Sequence, residues 1–141
     1  MTKTRIDVDL ISAGDADAEL LPLSEPVSFW GGVDFATGEI TDRAHPNCGT
    51  SMANKIVLVP STKGSTAGPG ALLEFLNSDF APAAIMTCGP DLVVGLSARM
   101  NAKRGKRQIP IGFLNETDFQ TLSASVTSVS ARIKNGRLTL A

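Results

Sequence analysis

The residues best suited to chemistry lie in the stretch Val57 to Leu76, whose sequence is VLVPSTKGSTAGPGALLEFL. Lys55 to Pro60 is an apolar, β-branched run typical of a buried strand, and Gly70 to Leu76 carries apolar residues at helical spacing. The Gly, Ser and Thr residues between them predict a strand-to-helix loop. Because a helix N-terminus leaves N–H groups that favour negative charge, the hydroxyl of Ser65 would lie where an anion can bind or chemistry can occur.

Several known motifs are absent from this loop. It has neither the spacing of a phosphate-binding P-loop nor G-x-G-x-x-G, so nucleotide binding is not indicated. Ser65 does not lie in G-x-S-x-G, and a Ser/His/acid triad would have to use His45, the only histidine. A structural interpretation also stays open, in which Ser65 or Thr66 is the helix N-cap and the glycines only turn the chain.

Composition limits the other possibilities. The chain has 141 residues, of which 43% are hydrophobic, so we expect one domain over residues 1–141. Its 13 basic and 14 acidic residues nearly cancel, which indicates no general affinity for nucleic acid or an anionic membrane. Without a long apolar run or a signal peptide, a cytoplasmic location is predicted. Cys48 and Cys88 form no metal or disulfide motif, and each is predicted to be reduced and partly buried.

The order of predicted elements indicates an α/β fold with β-hairpins flanking a strand-loop-helix core. A polar loop is expected at Ser12 to Glu19, and Leu20 to Trp30 is expected to be extended and to enter a strand that ends at Phe29 and Trp30. A turn at Ala36-Thr37-Gly38 and the pair Asn135-Gly136 predict hairpins. The other predicted elements are strands at Thr4 to Leu10, Ala83 to Thr87 and Gln108 to Leu114, and a helix at Asp91 to Lys103.

For residues outside the loop, a structural interpretation is favoured over a functional one. Trp30 is expected in the core. Asp34, Glu39 and Asp42 could form a carboxylate cluster, but in a hairpin they are more simply turn and solvent-facing residues. The basic run Asn101 to Arg107 is expected to be a solvated helix end, with a docking patch as the alternative.

Three segments together resemble the small subunit of aconitase X, a swivel-domain partner in hydro-lyases of the aconitase superfamily. They are PVSFWGGVDFATGEITDRAHPNCG, KIVLVPSTKGSTAGPGALLEF and APAAIM, in this order and spacing. The resemblance covers most of the chain from Leu23 to about Phe113. It implies a swivelling β/β/α domain that closes over a large subunit. In that family the large subunit, rather than this domain, holds the iron or iron-sulfur centre and most of the substrate contacts.

The resemblance also implies roles for the loop residues. Gly64-Ser65-Thr66 matches the Gly-Ser-Ser turn whose first serine, as an alkoxide, removes the proton alpha to a carboxylate. Ser65 is then the general base, Gly64 and Thr66 shape the turn, and Lys63 contacts a substrate carboxylate. The chain departs from the pattern at Lys63, where arginine is common, because lysine cannot form the same bidentate fork.

The resemblance implies a heteromeric dehydratase acting on cis-3-hydroxy-L-proline and giving a pyrroline-2-carboxylate. A phosphomevalonate dehydratase small subunit is the alternative, and the absence of Lys/Glu enrichment favours the bacterial hydroxyproline enzyme. Two other classes stay open: a non-catalytic regulatory module, and a small hydrolase that uses Ser65 with His45. The partners expected are the large subunit and a small carboxylate, with neither nucleic acid nor membrane.

Overall fold

The computed structural model describes residues 5–63, 66–104, 107–124 and 129–140. The described residues form eight strands and three helices. The strands are β1 (Arg5–Asp7), β2 (Asp9–Ser12), β3 (Ala16–Pro22), β4 (Ile56–Val59), β5 (Ala84–Cys88), β6 (Ile111–Leu114), β7 (Ser130–Lys134) and β8 (Arg137–Leu140); the helices are α1 (Gly68–Leu76), α2 (Leu92–Arg104) and α3 (Glu116–Ser123).

One sheet contains all eight of these strands, in the order β1-β8-β7-β3-β4-β5-β6-β2. Strands β3 to β6 are parallel to one another, and the remaining pairs are antiparallel. The two edge strands follow each other in the chain and are separated by Val8 alone, whose N–H donates to the Gly136 carbonyl at 2.9 Å. The chain therefore draws the two edges of the sheet together and makes it barrel-like.

Strand β4 lies at the centre of the sheet and is buried on both faces. Val57 and Val59 pack with α1 and α2 in one apolar cluster, and Ile56 and Leu58 pack in a second cluster with α3 and the antiparallel strands. All four side chains are fully buried. Burial of apolar surface stabilises a fold by about 25 cal/mol per Å², so these four side chains hold in place the strand from which the Ser65 loop starts.

The predicted loop at Ser12 to Glu19 is wrong, because Ala16–Pro22 is strand β3 in the middle of the sheet. Small apolar residues alternate there with acidic ones. Ala16 and Leu20 face the core, whereas Asp17 faces outward and accepts hydrogen bonds from Arg132 of β7, with an Nη2–Oδ2 distance of 2.8 Å. Acidic side chains on the outer face are compatible with a strand when a cross-strand cation pairs with them.

The amino-terminal segment is also divided differently from the expectation. The predicted strand at Thr4 to Leu10 is broken at Val8 into β1, which pairs with β8, and β2, which pairs with β6. Leu20 to Pro22 belong to β3, but the segment does not end in a strand at Trp30, since beyond Pro22 its described bridge partner is Thr62, paired with Val27. The two prolines, Pro22 and Pro26, limit the pairing because they lack the N–H group that a ladder needs.

Both predicted hairpin turns are confirmed. Val33 and Ile40 form an antiparallel bridge across the first turn. In the second turn Asn135 and Gly136 have φ values of 52° and 72°, which is the left-handed pair that a two-residue hairpin requires. The strand and helix on either side of the Ser65 loop, the strands at β5 and β6, and helix α2 are confirmed as well. None of the helices in the described ranges is long and apolar enough to cross a membrane.

Candidate active site

The candidate site is the loop that leaves the carboxyl end of β4 and leads into α1. Gly64 and Ser65 lie outside the described residues, so the structure gives the two ends of the loop: Ser61 to Lys63 after the strand, and Thr66 before the helix. Lys63 and Thr66 are both exposed. The two described site residues, Lys63 and Thr66, thus lie at the carboxyl edge of the parallel strands, where α/β sheets bind ligands.

Helix α1 begins without a side-chain cap from its N-cap residue. That position is Ala67, whose methyl group cannot accept a hydrogen bond, and Pro69 lies in the first turn. The structural interpretation that Thr66 is the N-cap residue is therefore wrong, and Ser65, its alternative, lies outside the described residues. The start of a helix, through its dipole and N–H groups, favours negative charge in the loop that precedes it.

Lys63 is held from two directions on the β4 side of the loop. Its backbone N–H donates to the Val27 carbonyl at 3.0 Å, and its Nζ lies 3.2 Å from Oδ2 of Asp42. The backbone N–H of Ala44, and then the ammonium of Lys63, hold the pKa of Asp42 below its usual range. Asp42 is therefore an ionised anchor, and a substrate carboxylate would meet a Lys63 ammonium that already has an acidic neighbour.

Thr62, one residue earlier, is bound to helix α2. Its backbone N–H donates to Oδ2 of Asp91 at 2.8 Å, and its hydroxyl donates to Oδ1 and Oδ2 of the same carboxylate at 2.8 and 3.0 Å. Oδ1 of Asp91 also accepts the N–H of Val94 at 3.0 Å. The sequence predicted Asp91 near the start of the helix, but its contact with Thr62 joins positions 29 residues apart and has no local signal.

His45 is only 5% exposed, and both of its ring nitrogens have partners. Nδ1 accepts the backbone N–H of Asn47 at 3.0 Å, so Nε2 carries the proton and donates to the Glu25 carbonyl, also at 3.0 Å. A histidine in this state has no free lone pair with which to accept a proton. The geometry assigns His45 to holding residues 25 and 47 together and argues against the Ser65/His45 hydrolase.

Trp30 was expected in the core, and that expectation is wrong: the residue is 65% exposed. It follows Val27, which is paired with Thr62, and Ser28, whose hydroxyl donates to the Trp30 carbonyl at 2.8 Å. Leu92, the first residue of α2, is 79% exposed. Two large apolar side chains are therefore exposed on the segments that contact Thr62.

The two cysteines are free, as predicted, but only one is partly buried. Cys48 is exposed, whereas Cys88 is half-buried in a surface cavity of about 450 Å³ lined also by Pro60, Phe119 and Ser123. Burial, and secondarily the charge of Glu116, raises the pKa of the Cys88 thiol. A protonated thiol is a poor nucleophile and a poor metal ligand.

The carboxylates of Asp34 and Asp42 each stabilise a local turn of the backbone. Asp34 Oδ1 accepts the N–H of Ala36 at 2.9 Å, and Asp42 Oδ1 accepts that of Ala44 at 3.0 Å. Nowhere in the described part of the chain do three His, Cys, Asp or Glu side chains gather as metal ligands would. These residues therefore do not fit an iron or iron-sulfur centre held by this chain.

Comparison with known proteins gives a consistent answer. The family model described as the aconitase X swivel domain matches residues 5–140. The cis-3-hydroxy-L-proline dehydratase of Pseudomonas aeruginosa is 38% identical over 128 residues, which are 91% of this chain and 21% of that protein. The phosphomevalonate dehydratase small subunit of Methanothermobacter thermautotrophicus is 37% identical over 95 residues, which are 67% of this chain and 72% of that subunit.

Among solved structures, the chain is similar to the holo-form of aconitase X from Thermococcus kodakaraensis. The TM-score is 0.78, the sequence identity is 27%, and 98% of each chain is covered. This similarity confirms the predicted fold. The lengths differ among relatives, since this chain spans about a fifth of the P. aeruginosa protein, at 21%, and nearly three quarters of the archaeal subunit, at 72%.

Proposed function

Because this chain belongs to the aconitase X swivel-domain family, we propose that it is the swivel subunit of a hydro-lyase and supplies the general base from Ser65. One observation carries the proposal: the segment containing Ser65 joins a fully buried central strand, β4, to the N-terminus of helix α1. The rest of the active site is provided by a larger partner chain. The names of the relatives, which are dehydratases and dehydratase small subunits, support this assignment.

The proposed step is removal of a proton by the Ser65 oxygen. The alkoxide takes the proton from the carbon alpha to a carboxylate, and the electron pair of that C–H bond becomes the new C=C bond. The hydroxyl group on the neighbouring carbon leaves with its bonding electrons as hydroxide and takes up a proton from solvent to become water, and Ser65 later returns its proton to solvent. An ordinary serine hydroxyl is far too weak an acid to be ionised near neutral pH. N–H donors at the start of α1, in a site that the partner closes to water, would stabilise the alkoxide.

Lys63 is proposed to bind the substrate carboxylate. Its side chain is exposed, and its Nζ lies 3.2 Å from Oδ2 of Asp42 at the edge of the site. An ammonium has three donor hydrogens, so it can keep one contact to Asp42 and direct another toward a substrate. Gly64 and Thr66 are proposed to shape the turn around Ser65.

The iron or iron-sulfur centre is proposed to lie in the large subunit. In relatives of this kind a metal centre would supply Lewis-acid chemistry. The described residues of this chain offer no matching group of ligands. The role of this chain is therefore confined to the base, the carboxylate contact and closure of the site.

The partner is proposed to cover the end of the domain that bears the loop. Trp30 and Leu92 are 65% and 79% exposed, and each follows within three residues a residue that pairs with Thr62. Exposed Trp is characteristic of the central contacts of protein interfaces. A partner that receives Ser65 would contact these two side chains, so both are proposed to be buried in the interface between the chains.

We propose cis-3-hydroxy-L-proline as the substrate and a pyrroline-2-carboxylate as the product. At the described ends of the loop, Lys63 is the cation, which suits one carboxylate, whereas phosphomevalonate needs further positive charge for its phosphate. The greater coverage of this chain by the hydroxyproline dehydratase, 91% against 67%, agrees with this choice.

The test is turnover by this chain purified together with its larger partner under conditions that preserve an iron centre. We expect dehydration of cis-3-hydroxy-L-proline by the assembly and none by either chain alone. Dehydration of phosphomevalonate instead would replace the substrate and keep the reaction. An assembly that is loaded with metal, yet inactive on both substrates, would contradict the proposal.

A further inference from the structure

We propose that Asp91 is the positioning residue of the Ser65 loop, holding the start of the loop against the N-terminus of α2 through Thr62. The inference rests on the proposed role of Ser65, because its consequence for rate requires that Ser65 act on substrate. The link itself is independent of that role. It consists of a backbone N–H bond from Thr62 to the carboxylate at 2.8 Å and a hydroxyl contact shared between its two oxygens at 2.8 and 3.0 Å.

Asp91 does more than cap a helix. An N-cap needs one acceptor, and Oδ1 provides it by accepting the N–H of Val94 at 3.0 Å. Oδ2 is not used by the helix at all and accepts the backbone N–H of Thr62. Serine or asparagine would cap α2 equally well, so the second carboxylate oxygen is accounted for by the loop and not by the helix.

The link acts close to the reacting atom. Ser65 follows Thr62 by three residues in the sequence, so a shift of the Thr62 backbone moves the start of the segment that contains Ser65. On the other side, the N–H of Lys63 and the carbonyl of Val27 are 3.0 Å apart. The start of the loop is thus held between α2 and the Val27 segment. A displacement of about 1 Å in a reacting group can lower a rate roughly 100-fold.

Hydrogen bonds to an ionised carboxylate are shorter and stronger than neutral ones, and both partners here are half-buried. The Asp91→Asn variant separates the two functions. Its amide oxygen can still cap Val94, but its NH₂ group would face the N–H of Thr62, which has no acceptor to bind. The variant should therefore keep the helix cap and the hydroxyl contact to Oδ1 but lose the hydrogen bond from the Thr62 backbone, which loosens the loop.

The experiment compares Asp91→Asn, Thr62→Val and Thr62→Ser in the purified assembly, measuring kcat, KM and thermal melting. The matched control is Asn115→Ala, which removes the N-cap of α3, a bond of 2.8 Å to the N–H of Asp118. We expect Asp91→Asn and Thr62→Val to lower kcat about 10- to 100-fold with KM within about 3-fold. Thr62→Ser keeps the hydroxyl and should have a kcat close to that of the wild type. Asn115→Ala should lower the melting temperature while leaving kcat within 2-fold.

A kcat of Asp91→Asn equal to that of the wild type would overturn the proposal. So would a loss of kcat in Asn115→Ala as large as that in Asp91→Asn, since the effect would then be one of general stability. If the wild-type assembly is not a dehydratase, the proposed function fails, and the link is judged by tryptic cleavage after Lys63. Cleavage that is faster than wild type in Asp91→Asn and Thr62→Val, but not in Thr62→Ser, supports the link. Wild-type cleavage rates in all three variants exclude it.

Discussion

Lys63 is the described side chain whose contribution to substrate binding can be tested most simply at the scale of single residues. Replacing it by methionine removes the charge and keeps the length of the side chain. We expect KM for the carboxylate substrate to rise about 10- to 100-fold, in line with roughly 1.5–3 kcal/mol for a hydrogen bond to a charged group, with a smaller change in kcat.

Lys55→Met is the matched control for Lys63→Met. Lys55 precedes the amino end of β4, at the opposite end of the strand from the loop, and its Nζ lies 3.4 Å from Oε2 of Glu19. This variant should leave KM unchanged. An equal rise in KM for the two variants would show that lost surface charge, and not a contact in the site, is responsible.

Asp42 gives a prediction for the dependence on pH. Its pKa in the folded chain is depressed below 3.8, first by the N–H of Ala44 and then by Lys63, so the carboxylate is ionised throughout the range above its unfolded pKa. Any stabilisation from the contact is fully present there and is lost as pH falls through the folded pKa. Titration followed by the carboxyl ¹³C shift should give a midpoint under 3.8. In Lys63→Met the midpoint should rise only in part, because the Ala44 bond remains, and a wild-type midpoint at or above 3.8 would contradict the assignment.

At the scale of the secondary-structure elements, two glycines in different backbone conformations should respond to alanine substitution in opposite ways. Gly136 has φ 72° in the hairpin between β7 and β8, whereas Gly70 lies in the first turn of α1 with open space where a Cβ would be. Gly136→Ala should destabilise the fold by about 1–2 kcal/mol. Gly70→Ala should stabilise it by roughly 0.5–1 kcal/mol. Urea unfolding midpoints measure both changes, and shifts of the same sign would refute the argument.

The sequence predicted elements well where a local signal was strong. The apolar run of β4, the helical spacing of α1 and the Asn135-Gly136 turn are each specified by neighbouring residues, and all three are confirmed. Strand β3 was missed because its acidic residues face outward, and because its pairing partners, β4 and β7, lie far away in the sequence. Helix α3 was not predicted, although Asn115 followed by Asp118 is a recognisable N-cap pattern.

The candidate site was predicted to a similar degree. The strand-to-helix loop between β4 and α1 is confirmed, whereas the role of Lys63 in substrate binding stays a prediction. Exposure of Trp30 and the contact between Thr62 and Asp91 could not be predicted, because both depend on how segments 29 or more residues apart are brought together. Ser65 itself lies outside the described residues, and its role remains a prediction.

At the scale of the whole molecule, the exposed Trp30 predicts where the partner binds. Trp30→Ala should weaken association with the larger chain about 10- to 100-fold or more, as loss of a central aromatic contact does. Phe80→Ala is the control, since Phe80 is 41% exposed and precedes the amino end of β5, away from the loop. Isothermal titration calorimetry of the two chains gives both affinities. Unchanged affinity for Trp30→Ala would place the interface elsewhere.

The measurement that tests the central claim most directly is kcat of Ser65→Ala in the assembled enzyme, with Thr66→Ala and wild type alongside. If Ser65 is the base, kcat should fall by several orders of magnitude, while association with the partner and its metal content stay at wild-type levels. Thr66→Ala, which keeps the base, should be affected far less. Wild-type turnover by an assembled Ser65→Ala enzyme would contradict the account and leave the loop as a structural turn in a non-catalytic module.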